Sequence, residues 1–326
     1  AGITAGLVYG WAKNANIYNI FPYDTEGSIY AIDYIRAFHL NKPINPVTGR
    51  KNPTLVNMSY GYRTNYNLND IDRCFFQGVV YNRPATGWTS TDIASFGWNY
   101  EGMPSTIQMA YRLASVDADL LDGINAGIIF IGAAGNENVY SDVPGGKDYN
   151  NYIQLSSIYS SSIFYYHRGS SQGGAPGCIN VGAITNQFEG ASGTTGNERR
   201  AFFSNAGPRI DIFAPGMEIL SASNQSIGPY EPEYSDWVDP LNTGNAPLDP
   251  VFKLKTDHYI TKRSGTSMAS PQVTGMLACH AEVLQNMDQQ DAMNIIVKNS
   301  QKNAIATGPF DTTYPCLLYT SDAADV

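Results

Sequence analysis

Residues 127–133 read GIIFIGA, a near-continuous apolar run rich in β-branched side chains. A strand with one wet face alternates apolar and polar residues, whereas a strand apolar throughout has both faces buried. Working outward, residues 15–20 (ANIYNI), 55–59 (LVNMS), 178–184 (CINVGAI) and 210–213 (IDIF) read as further short strands. Helical patterns lie between them. Residues 28–40 carry Ser28 as a cap, with Ile32, Ile35 and Phe38 near one face. Residues 105–125 turn Ala110, Leu113, Leu120 and Ile124 inward, and 268–286 and 291–299 follow as two more helices. Apolar strands alternating with helices predict an α/β fold with a mainly parallel central sheet covered on both faces. Such sheets bind ligands at the carboxyl ends of their strands. Function is therefore expected in the loops after Ser59, Ala133 and Phe213, and at the N-terminus of the helix near Met268.

With 326 residues, 43% of them hydrophobic, the chain can bury a sizeable core. Only 15% of residues are charged, which excludes a coiled coil or a disordered chain. The net charge of −9 argues against nucleic acid as a partner, and Arg199-Arg200 and Lys262-Arg263 are isolated basic pairs on solvated surface. No apolar run approaches the roughly 18–20 residues that span a bilayer. The four cysteines, Cys74, Cys178, Cys279 and Cys316, show no metal-like spacing, so no zinc site is expected. Cys279, in an apolar helical stretch, is expected as a free buried thiol. Residues 62–104, 138–176 and 221–262 read as loop insertions, the last acidic and Pro-rich. Structureless loops of such length are uncommon and are usually functional or disordered.

The chemistry concentrates at residues 264–275, SGTSMASPQVTG. Gly265 permits a tight turn and Ser267 follows at the mouth of a helix. Pro271 falls in the first helical turn, where its missing N–H costs little. A hydroxyl at a helix N-terminus sits where backbone N–H groups and the helix dipole favour negative charge, which suits a nucleophile whose attack creates an oxyanion. A capping serine on an ordinary helix fits the same residues equally well.

Gly265-Thr266-Ser267-Met268-Ala269-Ser270-Pro271, followed by V-x-G, resembles the nucleophile signature of the subtilisin-like serine proteases, the peptidase S8 family. The resemblance runs from Ala1 to about Asn299 and implies a three-layer α/β/α fold with Ser267 as nucleophile. Ala133-Ala134-Gly135-Asn136 is similar to the family's oxyanion-hole segment, with Asn136 as the side-chain donor and Ala133, Ala134 and Gly135 as one wall of the substrate pocket. Asn57-Met58-Ser59-Tyr60-Gly61 is similar to the substrate-binding strand, where a peptide adds edge-on to Ser59, Tyr60 and Gly61. Gly207-Pro208, Asp211 and Ala214-Pro215-Gly216 match the strand and turn before the serine segment, and Asp211 is read as a solvated or capping carboxylate.

A serine nucleophile needs a base and an orienting acid. In the family the chain order is Asp, His, Ser, with the histidine in H-G-T-H-x-A-G. Ala1-Gly2 resembles the tail of that motif, so the histidine and aspartate are expected upstream of residue 1. His39, His167, His258 and His280 are read as structural or surface residues. Many relatives carry a calcium loop after the histidine helix; here residues 5–12, AGLVYGWA, are short and without a carboxylate, so no metal site is expected and no cofactor is required. Residues 316–326 resemble translated sequencing adapter, which leaves 1–315 as one peptidase domain lacking its Asp/His part.

The expected function is thus serine endopeptidase action on polypeptide substrates, with this chain alone inactive or very weak. The full-length protein is compatible with a propeptide, and the family resemblance favours a secreted or extracytoplasmic location. The alternative is a catalytically inactive subtilase-fold module that binds peptides or proteins.

Overall fold

The computed structural model describes residues 2–5, 10–21, 24–97, 106–188, 198–223, 252–255, 258–281, 287–301 and 305–306. In chain order the first elements are α1 (Gly2–Ala5), α2 (Thr25–Asn41), β1 (Thr54–Met58), β2 (Arg63–Asn67), β3 (Ile71–Phe76) and β4 (Val79–Asn82). Then come α3 (Ser90–Ser95), β5 (Thr106–Ala110), α4 (Ala114–Asn125), β6 (Ile128–Ala133), β7 (Tyr152–Leu155), β8 (Ile163–Tyr165) and α5 (Ser171–Gly174). The rest are β9 (Ile179–Phe188), β10 (Glu198–Arg200), β11 (Ile212–Pro215), β12 (Ile219–Ser223), β13 (Phe252–Lys255), β14 (His258–Arg263), α6 (Thr266–Ala281), α7 (Gln289–Asn299) and β15 (Ile305–Ala306).

The central sheet runs β1-β6-β9-β10-β15, with β11 also paired to β9. β1, β6, β9 and β11 are parallel, and β10 returns antiparallel to β9. Alternation along the deciding strand splits the core in two. Ile129 and Ile131 join Val181, Ala269, Val273, Leu277 and Ile296, under α6 and α7. Ile128 and Phe130 point the other way, to Ile32, Val116 and Leu120 on α2 and α4. Helices therefore cover both faces, in three α/β/α layers.

Several local expectations are corrected by tertiary contacts. Residues 15–20 form no strand: none of the described strands pairs with them, and Tyr18 instead packs its ring 4.8 Å from that of Phe38 on α2. α2 starts earlier than expected because Asp24 caps it, its carboxylate accepting from the Gly27 N–H at 2.7 Å. Ser28 lies inside the first turn and donates to the Asp24 carbonyl. The expected helix 105–125 divides. Residues 106–110 form β5, paired with β2 from Arg63↔Ala110 to Asn67↔Thr106, and only Ala114–Asn125 is helical. The period-2 burial of Ile107 and Met109 is the strand signal that the helical reading passed over. Cys279 is exposed, not buried. Ala269, Val273 and Leu277 recur every four residues on the face of α6 against the sheet, and Cys279, two residues further on, points away.

The first two insertions are not structureless. They form one four-stranded antiparallel sheet in the order β4-β3-β7-β8, joined across the two segments at Cys74↔Ile153. Its core holds Ile71, Cys74, Ile93, Met109, Ile153 and Leu155, all fully or nearly fully buried. Trp88 is tied in by its Nε1–H to the Ile71 carbonyl at 2.8 Å. Burial pushes the Cys74 thiol up to about 12, so it is an inert core residue. The ends of the third insertion pair as the sheet β12-β14-β13; residues 224–251, which hold its acidic run, and 307–326, which hold Cys316, lie outside the described residues.

Candidate active site

Ser267 is the second residue of α6 and is half-buried. Gly265 sets the turn into this helix. Its φ of +149° is a conformation that a side chain would strain, and its N–H donates to the Gly216 carbonyl, just past β11, at 2.7 Å. The Ser267 Oγ donates to the Ser59 carbonyl at 3.2 Å, and the Ser59 Oγ donates back to the Ser267 carbonyl at 2.9 Å. Ser59 is held in turn by Asn57 Nδ2 at 2.9 Å, and Asn57 Oδ1 accepts from the Ser270 Oγ at 2.8 Å. The segment after β1 and the first turn of α6 are thus laced together by serine hydroxyls and one carboxamide.

Asn136 closes the other side. Its Oδ1 accepts from the Thr266 N–H at 2.9 Å and the Thr266 hydroxyl at 2.8 Å, and Thr266 Oγ1 accepts from the Gly135 N–H at 3.2 Å. Because both Thr266 groups donate, the carboxamide orientation is fixed and Nδ2 remains as a donor. The first N–H groups of a helix have no intrahelical acceptor. Asn136 supplies one at Thr266; none of the described residues supplies one at Ser267. Asn136, bonded to Thr266, keeps Nδ2 as a donor beside the serine segment, and with the Ser267 N–H it is the kind of group that stabilises negative charge on an attacked carbonyl.

A cleft holding about 340 Å³ of open space lies beside these groups, lined by Ser59, Tyr60, Gly61, Ala133, Ala134, Gly135, Thr266 and Ser267, and also by Arg63, Ala110, Glu137 and Ser170. All six residues expected to bind substrate lie on it. Sequence reasoning did not anticipate Arg63, Ala110, Glu137 or Ser170 on this lining; they come from separate stretches of the chain and share no local pattern. Gly135 permits the close approach behind the wall. Its φ is +105°, and a Cβ there would stand 2.3 Å from Glu137 Oε2.

Three of the four histidines are placed elsewhere. His39 Nδ1 meets Thr54 Oγ1 at 2.8 Å, at the amino end of β1 and so at the opposite edge of the sheet from Ser59. Burial, then the charges of Lys42 and Lys51, lower its pKa. His280 Nδ1 bonds the Met276 carbonyl at 3.0 Å, thirteen residues and roughly 20 Å along α6 from Ser267. His167 is fully buried beside Tyr166 and accepts from Asn151 Nδ2 at 3.1 Å. The side chain of His258 lies outside the described residues.

Burial, opposed by the nearby Asp148 charge, lowers the His167 pKa from 6.5 to about 4. The unfolded chain then binds more protons than the native one below pH 6.5. His167 therefore contributes stability that is full above pH 6.5 and is lost as pH falls toward 4, by about 3 kcal/mol in all. Urea unfolding at pH 7.5 and 4.5 should show this loss, and His167→Gln should flatten it by one proton; an unaltered pH slope in the variant refutes the assignment.

Sequence reading disfavours a lipase-type hydrolase because it finds no G-x-S-x-G elbow, yet residues 169–173, GSSQG, spell that pattern. The structure removes it from consideration. Ser171 is 0% exposed, and its Oγ accepts from the Leu113 N–H at 2.8 Å and donates to the Leu113 carbonyl at 3.4 Å. Asp211 is a capping carboxylate: its Oδ2 accepts from the Asn180 N–H at 2.7 Å and from Arg209 Nη1 at 2.8 Å. Among the described residues no group of three or more His, Cys, Asp or Glu could hold a metal ion. No helix among them is long and apolar enough to cross a membrane.

A family model described as "Subtilase family" matches residues 1–313. The chain is 26% identical over 313 residues to Alkaline protease 2 of Aspergillus fumigatus, a match covering 94% of this chain and 41% of that protein. It is 24% identical to the Subtilisin-like serine protease Pen c 2 of Penicillium citrinum, covering 94% and 44%. The chain thus spans about two fifths of the length of the curated relatives it matches. A solved cold-adapted subtilisin-like serine proteinase is 19% identical with a TM-score of 0.48, covering 94% of this chain and 67% of that one.

Proposed function

The chain belongs to the subtilase family, and on that premise we propose that it is the nucleophile-bearing part of a serine endopeptidase that cleaves polypeptides through an acyl-enzyme. The observation that carries the reading is the convergence of Ser267, the two free donors at Asn136 Nδ2 and Ser267 N–H, and the cleft between Ser59–Gly61 and Ala133–Gly135. A peptide pairs its main chain along Ser59–Gly61, which gives affinity without sequence demand. Ser267 Oγ attacks the carbonyl, and its proton passes to a base. The carbonyl oxygen, now negative, is held by Asn136 Nδ2 and the Ser267 N–H.

For this reaction the Oγ must leave the Ser59 carbonyl, to which it donates in the structure. His39, His167 and His280 are bonded elsewhere in the fold, so none of the three is assigned as that base. An extracytoplasmic location belongs to the same reading.

The test is a conservative change at the oxyanion donor. Asn136→Leu should lower kcat by about 10²–10³ with little change in KM, a magnitude that is subtilisin's own and not one obtained from this geometry. An Asn136→Leu variant that loses only KM, or loses nothing, contradicts the reading. A catalytically inactive peptide-binding module is the second reading, favoured by the absence of an imidazole beside Ser267 among the described side chains. It predicts peptide binding with no covalent labelling of Ser267 by a fluorophosphonate.

A further inference from the structure

The substrate cleft carries two charges, Arg63 at the start of β2 and Glu137 just after the oxyanion segment. They are unequally exposed. The Glu137 side chain is 4% accessible and the Arg63 side chain 40%. Glu137 Oε1 lies 2.7 Å from Arg63 Nε, and Oε2 accepts from Asn205 Nδ2 at 2.8 Å. Asn205 is itself buried and fixed, with Nδ2 also donating to the Ala134 carbonyl at 2.8 Å and Oδ1 accepting from the Val139 N–H at 2.9 Å. The carboxylate is therefore held at the back of the cleft by Asn205 through Oε2, while Oε1 accepts no hydrogen bond among the described residues and is paired with Arg63 by charge alone. The two Nη groups, with four N–H donors, meet no other acidic side chain among the described residues. The remaining walls are small or neutral: Gly61, Ala110, Ala133, Ala134, Gly135 and Ser170.

We propose that Arg63 makes this cleft select an acidic side chain, glutamate or aspartate, at the substrate residue that lies between the two walls next to Ser267. The inference rests on the reading of the cleft as a peptide-binding site. A guanidinium that is part-exposed on the cleft wall, paired with Glu137 by charge, offers a cation and further N–H donors to a second carboxylate. A basic substrate side chain meets the opposite situation. To reach Glu137 it must displace Arg63 and leave that cation without its ion-pair partner. A neutral side chain leaves the pair as it is and gains only the small apolar walls.

The experiment measures binding, so it does not depend on turnover by this chain. Four fluorescein-labelled tetrapeptides, identical except for a C-terminal Glu, Gln, Phe or Lys, are titrated against the full chain by anisotropy. All four share the terminal carboxylate, so differences report the side chain. The Glu peptide should bind about tenfold tighter than its neutral isostere ending in Gln, and the Lys peptide weakest. Arg63→Gln should bring the Glu-to-Gln ratio to about one, while Arg63→Lys, which keeps the charge, should retain most of it. On the unmodified chain, raising salt from 0.05 to 0.5 M should lower the ratio, since the contact is partly exposed. Equal binding of the Glu and Gln peptides, or a ratio that Arg63→Gln leaves unchanged, overturns the proposal and leaves the peptide cleft standing. Failure of all four peptides to bind refutes the cleft reading itself, and this inference with it.

Discussion

Ser267→Ala should abolish peptide hydrolysis in any preparation of the protein that shows it, with a loss in turnover on the order of 10⁶, equivalent to about 8 kcal/mol of transition-state stabilisation. That magnitude is subtilisin's own and is carried over with the family. The geometry explains why no neighbour should rescue the loss. The Ser59 hydroxyl is committed to the Ser267 carbonyl, the Ser270 hydroxyl to Asn57, and the Thr266 hydroxyl to Asn136. Each of these is part of the frame that holds the site, and none lies between the two free donors. The substitution removes a single atom, whose one bond is a 3.2 Å contact to the Ser59 carbonyl, so the fold should be kept. A residual acceleration from oxyanion binding alone should survive. Covalent labelling by a fluorophosphonate should vanish in parallel. Labelling that persists at another serine, or activity above about one hundredth of the parent, would refute the assignment of Ser267.

Arg209→Met should cost about 4 kcal/mol or more, a large part of the 5–15 kcal/mol that separates most folded domains from their unfolded chains. Arg209 is 9% exposed. Its Nη2 donates to the carbonyls of Gly173, Ala175 and Cys178 at 2.7–2.8 Å, its Nε to the Gly174 carbonyl at 3.3 Å, and its Nη1 to Asp211 at 2.8 Å. Methionine has similar length and no donors. It would leave four carbonyls without this partner and Asp211 without its cation, and an orphaned buried acceptor costs about 1–3 kcal/mol. The consequence reaches the site. The clamped segment includes α5, and Ser170, one residue before α5, lines the cleft and accepts from the Tyr62 N–H at 3.2 Å. Denaturant unfolding should show the lowered midpoint, and cleft binding should weaken with it. A change under 1 kcal/mol would mean that the carbonyls find other donors, and that the clamp is dispensable.

The two predictions differ in how far the sequence could anticipate them. The role of Ser267 is carried by a contiguous motif, and the small residues around it suit a close-packed helix. Arg209 gives no such sign: its partners lie thirty-odd residues upstream in a stretch that reads as the tail of a loop insertion. The same contrast separates Asn136, singled out from the segment after an apolar strand, from Arg63 and Glu137, whose pairing sets the start of β2 against the loop after β6.

What the sequence determined by itself was local. Apolar runs such as residues 127–133 and the turn-and-helix pattern around Gly265 and Pro271 are properties of a few consecutive residues. They were enough to predict a parallel sheet with both faces covered, and to point to the loop ends where Ser267 and Ser59 lie in contact. The tertiary structure decided what depends on partners far along the chain. Residues 106–110 became a strand because 63–67 lie beside them, and 71–76 found 152–155 some eighty residues away, so two apparent loops became one sheet with its own core. Strand pairing is set by the neighbour a segment meets as much as by its own residues, and that neighbour appears only once the chain has folded.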